Sequence, residues 1–323
     1  MSEKKKILVR VSASFSEGQQ LFEWLKKYGK QVDDRFVYWD EFIFTTDELS
    51  TCDALLIFNN PSQKIEVKCF PEAVIAFMME PGVLSENPWM FRRLDQYANV
   101  YSPINRSANT VLSHGYLGWY LLQNWNELAT LPVPEKNKDM SCIASGLKQL
   151  KGHRDRLAFV TLLKKEIPSI EFYGKGSNYI PDKSKGLLPY RFSVAIENSS
   201  SAYYFTEKIN DCFLCYTVPV YFGCSGIGKY FPSASFIEID INRPAQAIER
   251  IREIQDVNDW QSRLGALQEA RELVLNKYQP LAGAADILRQ TRHAQKQTIL
   301  LDPVPETTIR KLKNYVNSVK AKI

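Results

Sequence analysis

The sequence predicts an α/β protein made of two consecutive α/β halves that face a cleft. In roughly the first 130 residues, short apolar runs alternate with helical stretches, and after a proline-containing segment the same alternation resumes. The length of 323 residues also exceeds what one hydrophobic core usually serves, which favours two domains. Two such units joined by a short linker place a ligand cleft at the carboxyl ends of their strands.

The first half begins with a strand at Ile7–Val11, a helix at Glu17–Tyr28 and a strand at Phe36–Trp39. Asp53–Phe58 and Ala73–Met79 are apolar runs short enough for buried parallel strands. Because strands and helices alternate, we expect a parallel sheet covered on both faces.

The segment Leu131–Asp139 interrupts this pattern with two prolines and mixed charges, and is the best linker candidate. We therefore predict an N-terminal domain over residues 1–131, a linker over 132–140, a C-terminal domain over 141–300 and a tail over 301–323.

The second half repeats the alternation of strands and helices. The predicted strands are 141–144, 170–173, 192–196, 218–222 and 235–239. The predicted helices are 154–165, about 204–215, about 245–254 and 259–277.

The net charge of +5 is concentrated at one end of the chain. Residues 309–323 contain five basic and no acidic residues, so residues 1–308 carry 36 basic and 36 acidic residues. A balanced body argues against a protein that coats nucleic acid, and no nucleic-acid partner is expected.

The basic tail also has an apolar stripe with helical spacing. The stripe consists of Ile309, Leu312, Val316, Val319 and Ile323. One interpretation is a C-terminal amphipathic helix that packs back on the protein with its lysines in solvent. The other is a basic anchor that lies on anionic lipid, so that residues 309–323 make a peripheral membrane contact.

Composition also bears on location. The longest apolar run, Ala73–Met79, is far shorter than the roughly 20 residues of a bilayer helix, and the first residues do not resemble a secretion signal. The six cysteines lie mostly in apolar surroundings, as buried reduced thiols do. We expect a cytoplasmic protein, with the inner membrane surface as the alternative location that the tail suggests.

Several common site signatures are weak or missing. Cys212 and Cys215 form a CxxC that no second CxxC or histidine pair completes, so no metal site is predicted. The glycines after the strand at 218–222 have the spacing GxxGxG, which indicates a turn more than a nicotinamide site. The three histidines, His114, His153 and His293, show no metal-binding spacing. No DxD pair occurs, so a nucleotide diphosphate would have to be neutralised by Arg and Lys instead of a metal.

The segment Tyr190–Lys208 is rich in polar and charged side chains. A strand leads into a Ser/Asn cluster, and a helix begins near Tyr204, which together make a natural anion pocket. Lys208 is unusual in the first turns of a helix, because cations favour the other end. Either a phosphate lies opposite Lys208, or the helix is simply N-capped and carries a solvated Glu–Lys pair.

These residues resemble the α-1,3-fucosyltransferase family, glycosyltransferase family 10, in its bacterial form. The strong resemblance covers about fifty residues and consists of Glu197–Ser199, Tyr204–Lys208, Val218–Gly223 and Pro232–Ile237. Weaker similarity extends to Met79–Pro81, Arg156–Phe159 and Phe172–Gly174.

The resemblance implies the GT-B fold, with two Rossmann-like domains facing a cleft. The C-terminal domain would hold GDP-fucose and the N-terminal domain would face the acceptor. Arg156 and Lys208 would neutralise the diphosphate, Asn198 and Tyr204 would hydrogen-bond it, and Glu207 would take the ribose hydroxyls. Glu80 matches the family's proposed general base. Arg154 is a rival to Arg156, Glu86 is a rival to Glu80, and an exposed carboxylate at a strand end is the plain alternative for Glu80.

The implied reaction is an inverting transfer of L-fucose from GDP-β-L-fucose to a hydroxyl of a glycan, O3 of GlcNAc in the family. No metal and no tightly bound cofactor are expected. The acceptor would be a lactosamine-like, lipopolysaccharide or capsule glycan. The alternatives are a GT-B transferase that uses another GDP-sugar and an inactive GT-B module that only binds glycan.

Overall fold

The computed structural model describes residues 5–81, 88–146, 151–174, 178–292 and 294–304. The strands in chain order are β1 Ile7–Ala13, β2 Gln31–Val32, β3 Val37–Trp39, β4 Phe42–Thr45, β5 Ala54–Phe58, β6 Ile65–Cys69, β7 Val74–Phe77, β8 Asn99–Ser102, β9 Thr110–Leu112, β10 Lys138–Ile143, β11 Glu171–Tyr173, β12 Tyr190–Ile196, β13 Val218–Phe222, β14 Ile237–Glu238 and β15 Gln297–Leu301. The α-helices are α1 Gly18–Lys26, α2 Trp125–Ala129, α3 Lys151–Glu166, α4 Glu207–Leu214, α5 Pro244–Val257, α6 Leu264–Leu273 and α7 Pro280–Gln290.

Strands β1–β5 and β7–β9 form one eight-stranded sheet, which is the centre of what we call the first lobe. The strand order is β2-β3-β4-β1-β5-β7-β8-β9. Both β5 and β7 are buried along their whole length, as expected for central parallel strands.

The prediction of a purely parallel first sheet is wrong at one edge. Strands β2, β3 and β4 pair antiparallel, and only from β4 onward are neighbours parallel. Between β3 and β4 the cause is a two-residue turn at Asp40 and Glu41, in which Asp40 adopts a left-handed φ of 53°. Such a turn sends the chain straight back along the strand that it has just left.

The second lobe is built on five parallel strands in the order β11-β10-β12-β13-β14. All five predicted strands of the second half are present, with ends shifted by a few residues. The predicted helix at 259–277 is also present, as a short 3₁₀ turn, then α6, then a π-helical turn at Val274–Tyr278.

The predicted linker over residues 132–140 is only partly a connection, because β10 already begins at Lys138. Just before it, the buried Lys136 ammonium donates to the carbonyl oxygens of Cys215 (2.7 Å) and Leu187 (3.3 Å) and to the hydroxyl of Thr217 (3.0 Å). These bonds attach the end of the segment to the second lobe.

Residues 280–300 were predicted to belong to the second domain, but they pack on the first lobe. Strand β15 pairs antiparallel with β6, and α7 lies against the first lobe with Gly283 facing Tyr116. A Cβ at position 283 would come within 2.2 Å of the Tyr116 ring, so this close approach requires glycine. Arg289 adds ion pairs to Asp40 (2.8 Å) and Glu41 (2.9 Å). The other domain boundaries stay a prediction.

The two lobes are joined by continuous packing and by helix α4. One cluster of buried apolar side chains runs through both sheets. From α4, the amide of Asn210 donates to the carbonyl oxygens of Leu117 and Gly118, both at 2.9 Å. Asp211 accepts from the backbone N–H of Tyr120, also at 2.9 Å. Helix α4 therefore holds one edge of the first lobe against the second.

Candidate active site

A cleft of about 520 Å³ lies between the lobes, and all six predicted site residues line it. Glu80 comes from the first lobe, and the other five come from the second. The lining consists of Glu80, Leu117, Tyr120, Ile143, Ala144, Ser145, His153, Arg156, Gly174, Tyr179, Ile180, Lys183, Asn198, Tyr204, Thr206, Glu207 and Lys208. The spatial grouping that the motifs implied is therefore present.

A buried carboxylate, Glu197, connects the end of β12 to the start of α4. Its side chain is fully buried. It accepts hydrogen bonds from the backbone N–H and the hydroxyl of Thr206, both at 2.8 Å, and from the Lys208 ammonium at 2.9 Å. Thr206 in turn is the N-cap of α4. This arrangement fixes the first turn of the helix at the edge of the cleft.

The position of Lys208 at a helix N-terminus is explained by this carboxylate. Lys208 also lies 3.3 Å from Glu207, and its side chain is only 22% exposed. Burial alone would lower the pKa of Lys208, but Glu197 and Glu207 together raise it above its usual value. The alternative of a solvated Glu–Lys pair is wrong, because Glu207 and Glu197 are both buried. The ammonium still faces the cleft and can meet an anionic ligand there.

Glu207 lies between two lysines, one of which sequence reasoning missed. Its carboxylate is 3.3 Å from Lys208 and 3.6 Å from Lys183. Burial raises the pKa of Glu207, but the two lysines outweigh it and lower the pKa to about 2. Lys183 also donates to Asp211 at 2.8 Å. Lys183 begins a short 3₁₀ helix, Lys183–Gly186, and no recognisable sequence motif marks it.

Arg156 is almost fully buried on α3, with 5% of its surface exposed. One guanidinium nitrogen donates to the hydroxyl of Ser145 at 2.7 Å, and the buried Nε has no hydrogen-bond partner among the described residues. Helix α3 can approach the backbone of Asn198 closely because residue 152 is a glycine. A Cβ at this position would collide with the backbone carbonyl of Asn198. The rival Arg154 is exposed and does not line the cleft, so the geometry favours Arg156 as the cleft cation.

Asn198 and Tyr204 are hydrogen-bonded to each other. The Tyr204 hydroxyl donates to the side-chain Oδ1 of Asn198 at 3.2 Å, and Nδ2 of Asn198 lies 3.2 Å from Nε2 of His153. His153, which the sequence marked only as a scattered histidine, therefore belongs to the cleft lining. This chain of polar groups orients the Asn198 amide next to Arg156's helix.

Glu80 follows the end of β7 by three residues and is accessible from the cleft. Arg106 donates to the Glu80 backbone carbonyl at 2.9 Å, and Asn59 accepts from the preceding N–H of Met79 at 2.9 Å. Desolvation by the cleft walls, followed by the charge of Glu207, raises the pKa of the Glu80 carboxyl. The rival Glu86 lies outside the described residues.

Arg106 was also missed from the sequence. Its Nε donates to the hydroxyl of Ser102 at 2.7 Å, and its guanidinium lies 4.8 Å from the centre of the Phe91 ring. Burial lowers the pKa of Arg106 to about 10, with Glu80 acting in the opposite direction. Its contacts hold the backbone that presents Glu80.

The remaining predicted features lie away from the cleft. All six cysteines are buried and free, as expected, and burial raises the pKa of the Cys212 and Cys215 thiols. The His114 ring is buried and stacked on Phe205, and burial lowers the pKa of His114 to about 3. His293 lies outside the described residues.

Within the described residues, neither a metal-binding cluster nor a helix suited to span a membrane is present. No group of three or more His, Cys, Asp or Glu side chains there is arranged to hold a metal ion. None of the helices in the described ranges combines the length and the apolar character that crossing a bilayer requires. The predicted tail lies almost entirely outside those ranges.

Much of the second lobe is similar to a domain of a known protein family. Residues 133–262 match the C-terminal domain of glycosyltransferase family 10 (fucosyltransferase). The match covers less than half of the chain. Arg156, Asn198, Tyr204, Glu207 and Lys208 all lie inside the matched region, whereas Glu80 lies outside it.

Similar proteins with curated names include two fucosyltransferases. The chain is 32% identical over 74 residues to the alpha-(1,3)-fucosyltransferase FucT of Helicobacter pylori. This aligned segment covers 23% of this chain and 16% of the relative. It is 31% identical over 134 residues to the human 4-galactosyl-N-acetylglucosaminide 3-alpha-L-fucosyltransferase 9, which covers 39% of this chain and 36% of the relative. The matches thus span about a sixth and about a third of these relatives.

The fold of this chain is similar to solved structures of an alpha1,3-fucosyltransferase. The structure with GDP aligns over 86% of this chain and 94% of the other, with a TM-score of 0.52 and 16% sequence identity. The structure without a named ligand aligns over 87% and 94%, with a TM-score of 0.51 and 15% identity. At this identity the likeness establishes the fold, and the predicted GT-B arrangement of two α/β lobes around a cleft is confirmed.

Proposed function

We propose that this chain is an inverting fucosyltransferase that moves L-fucose from GDP-β-L-fucose to a hydroxyl of a glycan, O3 of GlcNAc by family resemblance. One observation carries the proposal: Glu80 from the first lobe and the cations Arg156 and Lys208 from the second line the same cleft. A base and a leaving-group site on opposite walls of a cleft are what a direct displacement between two substrates needs.

In the proposed reaction, the Glu80 carboxylate removes the proton of the acceptor hydroxyl. The oxygen attacks the anomeric carbon as the bond to the diphosphate breaks, and GDP leaves with the bonding electrons. The raised pKa of Glu80 makes its carboxylate a stronger base than an ordinary glutamate.

The departing diphosphate would be received by the second lobe. Arg156 has a buried nitrogen without a partner at the cleft wall, and Lys208 adds an ammonium held by Glu197. Negative charge developing in the transition state would be stabilised by these fixed cations. Asn198 and Tyr204 would hydrogen-bond the same phosphates, and Glu207 would accept from the ribose hydroxyls.

Glu207 qualifies for the ribose role because it stays ionised. With its pKa lowered to about 2, it is an acceptor without a proton at neutral pH. We propose that the reaction requires no metal and no tightly bound cofactor, since three cationic side chains already stand in the cleft: Arg156, Lys183 and Lys208.

The acceptor and location follow from the resemblance and from the sequence of the tail. We propose a lactosamine-like glycan, of lipopolysaccharide or capsule type, modified on the cytoplasmic side of the inner membrane. Residues 309–323, which lie outside the described ranges, would provide the peripheral membrane contact through their basic residues and apolar stripe.

The test compares Glu80→Gln with the wild-type chain and with the control Glu66→Gln, the same change at an exposed position of the same lobe. Product formation from GDP-fucose and N-acetyllactosamine should fall by about 10²- to 10⁴-fold in Glu80→Gln and stay normal in the control. The affinity for GDP, measured by calorimetry, should be unchanged in both.

Normal turnover of Glu80→Gln would remove this residue from the mechanism. Two alternatives are separated in the same assay. Transfer from GDP-mannose but not from GDP-fucose would indicate a transferase for another GDP-sugar. Glycan binding without release of GDP from either donor would indicate an inactive glycan-binding module.

A further inference from the structure

Two cysteines of the first lobe lie side by side although they are distant in sequence. Thr51 and Lys68 are partners in an isolated parallel bridge. The next residue on each segment is a cysteine, Cys52 on one and Cys69 on the other. Residues at the same register of neighbouring parallel strands point to the same face and lie about 4.8 Å apart. We call these two residues the cysteine pair.

Burial confirms that the two side chains share a face. Thr51 and Lys68 are exposed, as expected for residues that point to solvent. Cys52 and Cys69 point the other way, with 1% and 0% of their surfaces exposed, and they belong to the same buried cluster. The pair therefore lies directly beneath an exposed layer of the first lobe.

The two thiols are close enough to be joined by a covalent bond. The Cys69 thiol donates a hydrogen bond to the sulfur of Cys52. It also lies 3.4 Å from the carbonyl oxygen of Asp53, the residue that follows Cys52. A disulfide usually joins residues whose Cα atoms are about 4.4–6.8 Å apart. Because the spacing of neighbouring strands falls inside this range, the bond needs no large movement of the backbone.

The surroundings of the pair make its two sulfurs unequal. The hydrogen bond from Cys69 lowers the pKa of the Cys52 thiol against the effect of burial, and Arg10 and Lys296 act in the same direction. Lys296 is held beside the pair by an ion pair with Asp53 at 2.7 Å. For Cys69, the same hydrogen bond and burial both raise the pKa. Since a thiolate is the nucleophile, Cys52 is the sulfur suited to attack and Cys69 the one suited to resolve.

The sequence instead singles out Cys212 and Cys215, because a CxxC is the spacing of many redox dithiols. In the structure, burial raises the pKa of both thiols. The Cys212 thiol donates to the carbonyl oxygen of Lys208, four residues earlier in α4, at 3.2 Å. The geometry therefore favours Cys52 and Cys69 over the CxxC as the oxidisable pair.

A small reagent can reach the cysteine pair by a local opening. The bridge beside it is held by two backbone hydrogen bonds, from Cys52 to Lys68 at 3.1 Å and from Lys68 to Ser50 at 2.9 Å. Segments with few such bonds and an exposed backbone open at a lower free energy than central strands do. Opening at Thr51 would admit a molecule that is little larger than water.

We propose that the cysteine pair is an oxidation site that takes a hydroperoxide, hydrogen peroxide in the simplest case, and forms a reversible disulfide. The Cys52 thiolate attacks one peroxide oxygen, the O–O bond breaks, and the departing hydroxide takes up a proton to give water. The Cys69 sulfur then attacks the sulfenic sulfur of Cys52, and its proton leaves with the hydroxyl as a second water. Two thiols and one peroxide thus give one disulfide and two waters, and a dithiol reductant reverses the change. This inference does not depend on the proposed function.

The experiment treats the reduced, folded full chain with hydrogen peroxide, counts free thiols and maps linked peptides by mass spectrometry without reduction. The wild type should lose two of its six free thiols and yield a peptide that links Cys52 to Cys69. Dithiothreitol should restore both thiols. The control Cys142→Ala removes another buried cysteine and should form the same link as the wild type.

Single variants test the roles of the two sulfurs. Cys69→Ala should stop at a sulfenic acid on Cys52, which dimedone traps, whereas Cys52→Ala should leave Cys69 unlabelled. Equal dimedone labelling in the two variants would overturn the assignment of Cys52 as the attacking thiolate.

The wild-type peptide map decides about the site itself, even where a variant fails to fold. Retention of all six thiols, or a link between other cysteines such as Cys212 and Cys215, would overturn the proposal. So would a link between Cys52 and Cys69 that forms only in urea, because it would then be a property of the unfolded chain.

Discussion

The buried ion pair of Glu197 and Lys208 should stabilise the folded protein by several kcal/mol. The cost of substituting one of the two residues should depend on whether the other is present. The pair is 2.9 Å apart, with the carboxylate fully buried and the ammonium side chain 22% exposed. Removing one partner of a buried pair costs about 3–5 kcal/mol, because the other charge is left without compensation. Glu197→Gln should reach about 3 kcal/mol, since it also weakens the two bonds from Thr206.

Lys208→Met should cost somewhat less, about 2 kcal/mol, because Glu197 keeps both donors of Thr206. In the double variant no unpaired charge remains, so its cost should be lower than the sum of the two single changes by about 2 kcal/mol. Helix α4 would still be capped by Thr206.

The assay is a double-mutant cycle measured by urea unfolding, with the exposed pair of Glu23 and Lys26 as the control cycle. The control should show coupling below about 1 kcal/mol, because both side chains are solvated. Additivity of Glu197→Gln and Lys208→Met within about 0.5 kcal/mol would refute the conclusion that Glu197 is the counter-ion of Lys208.

Two further predictions concern other charged groups. Burial lowers the pKa of Lys136 to about 7, so the unfolded chain binds more protons between pH 7 and the usual lysine pKa, and folding stability should rise with pH in that window. Relative to Lys136→Met, the wild-type free energy of unfolding should increase by about 2 kcal/mol from pH 7 to pH 9 in urea titrations, and parallel pH profiles would contradict this. For the tail, the full chain should co-sediment with anionic liposomes, whereas a chain ending at Val304 should not; equal binding by both would exclude the anchor.

The central strands could be predicted because their signal is local. Runs such as Ala54–Phe58 and Val218–Phe222 are short and apolar, and both are buried parallel strands in the structure. The antiparallel edge and the return of α7 and β15 to the first lobe could not be predicted in this way. They depend on a turn at Asp40 and on contacts between residues more than 200 positions apart, as for Arg289 and Glu41.

The residues of the candidate site also divide into those that the sequence could predict and those that it could not. Residues within motifs, such as Glu207 and Lys208, could be placed in the cleft from the family resemblance. Lys183, His153 and Arg106 could not, because each acts through a neighbour that is distant in sequence. Lys183, for example, meets Asp211 and Glu207 only after the 3₁₀ helix that it begins has packed against α4.

The charges of the cleft also assign different roles to its two carboxylates. Lys183 and Lys208 keep Glu207 ionised, and the charge of Glu207 then helps desolvation to raise the pKa of Glu80. Two acids whose surroundings move their pKa values in opposite directions are suited to separate tasks. Glu207 would have to give up two lysine contacts to take a proton, so it fits a fixed hydrogen-bond acceptor. Glu80 gains from protonation, because it then no longer faces a second negative charge, and it is therefore the carboxylate suited to remove the acceptor's proton.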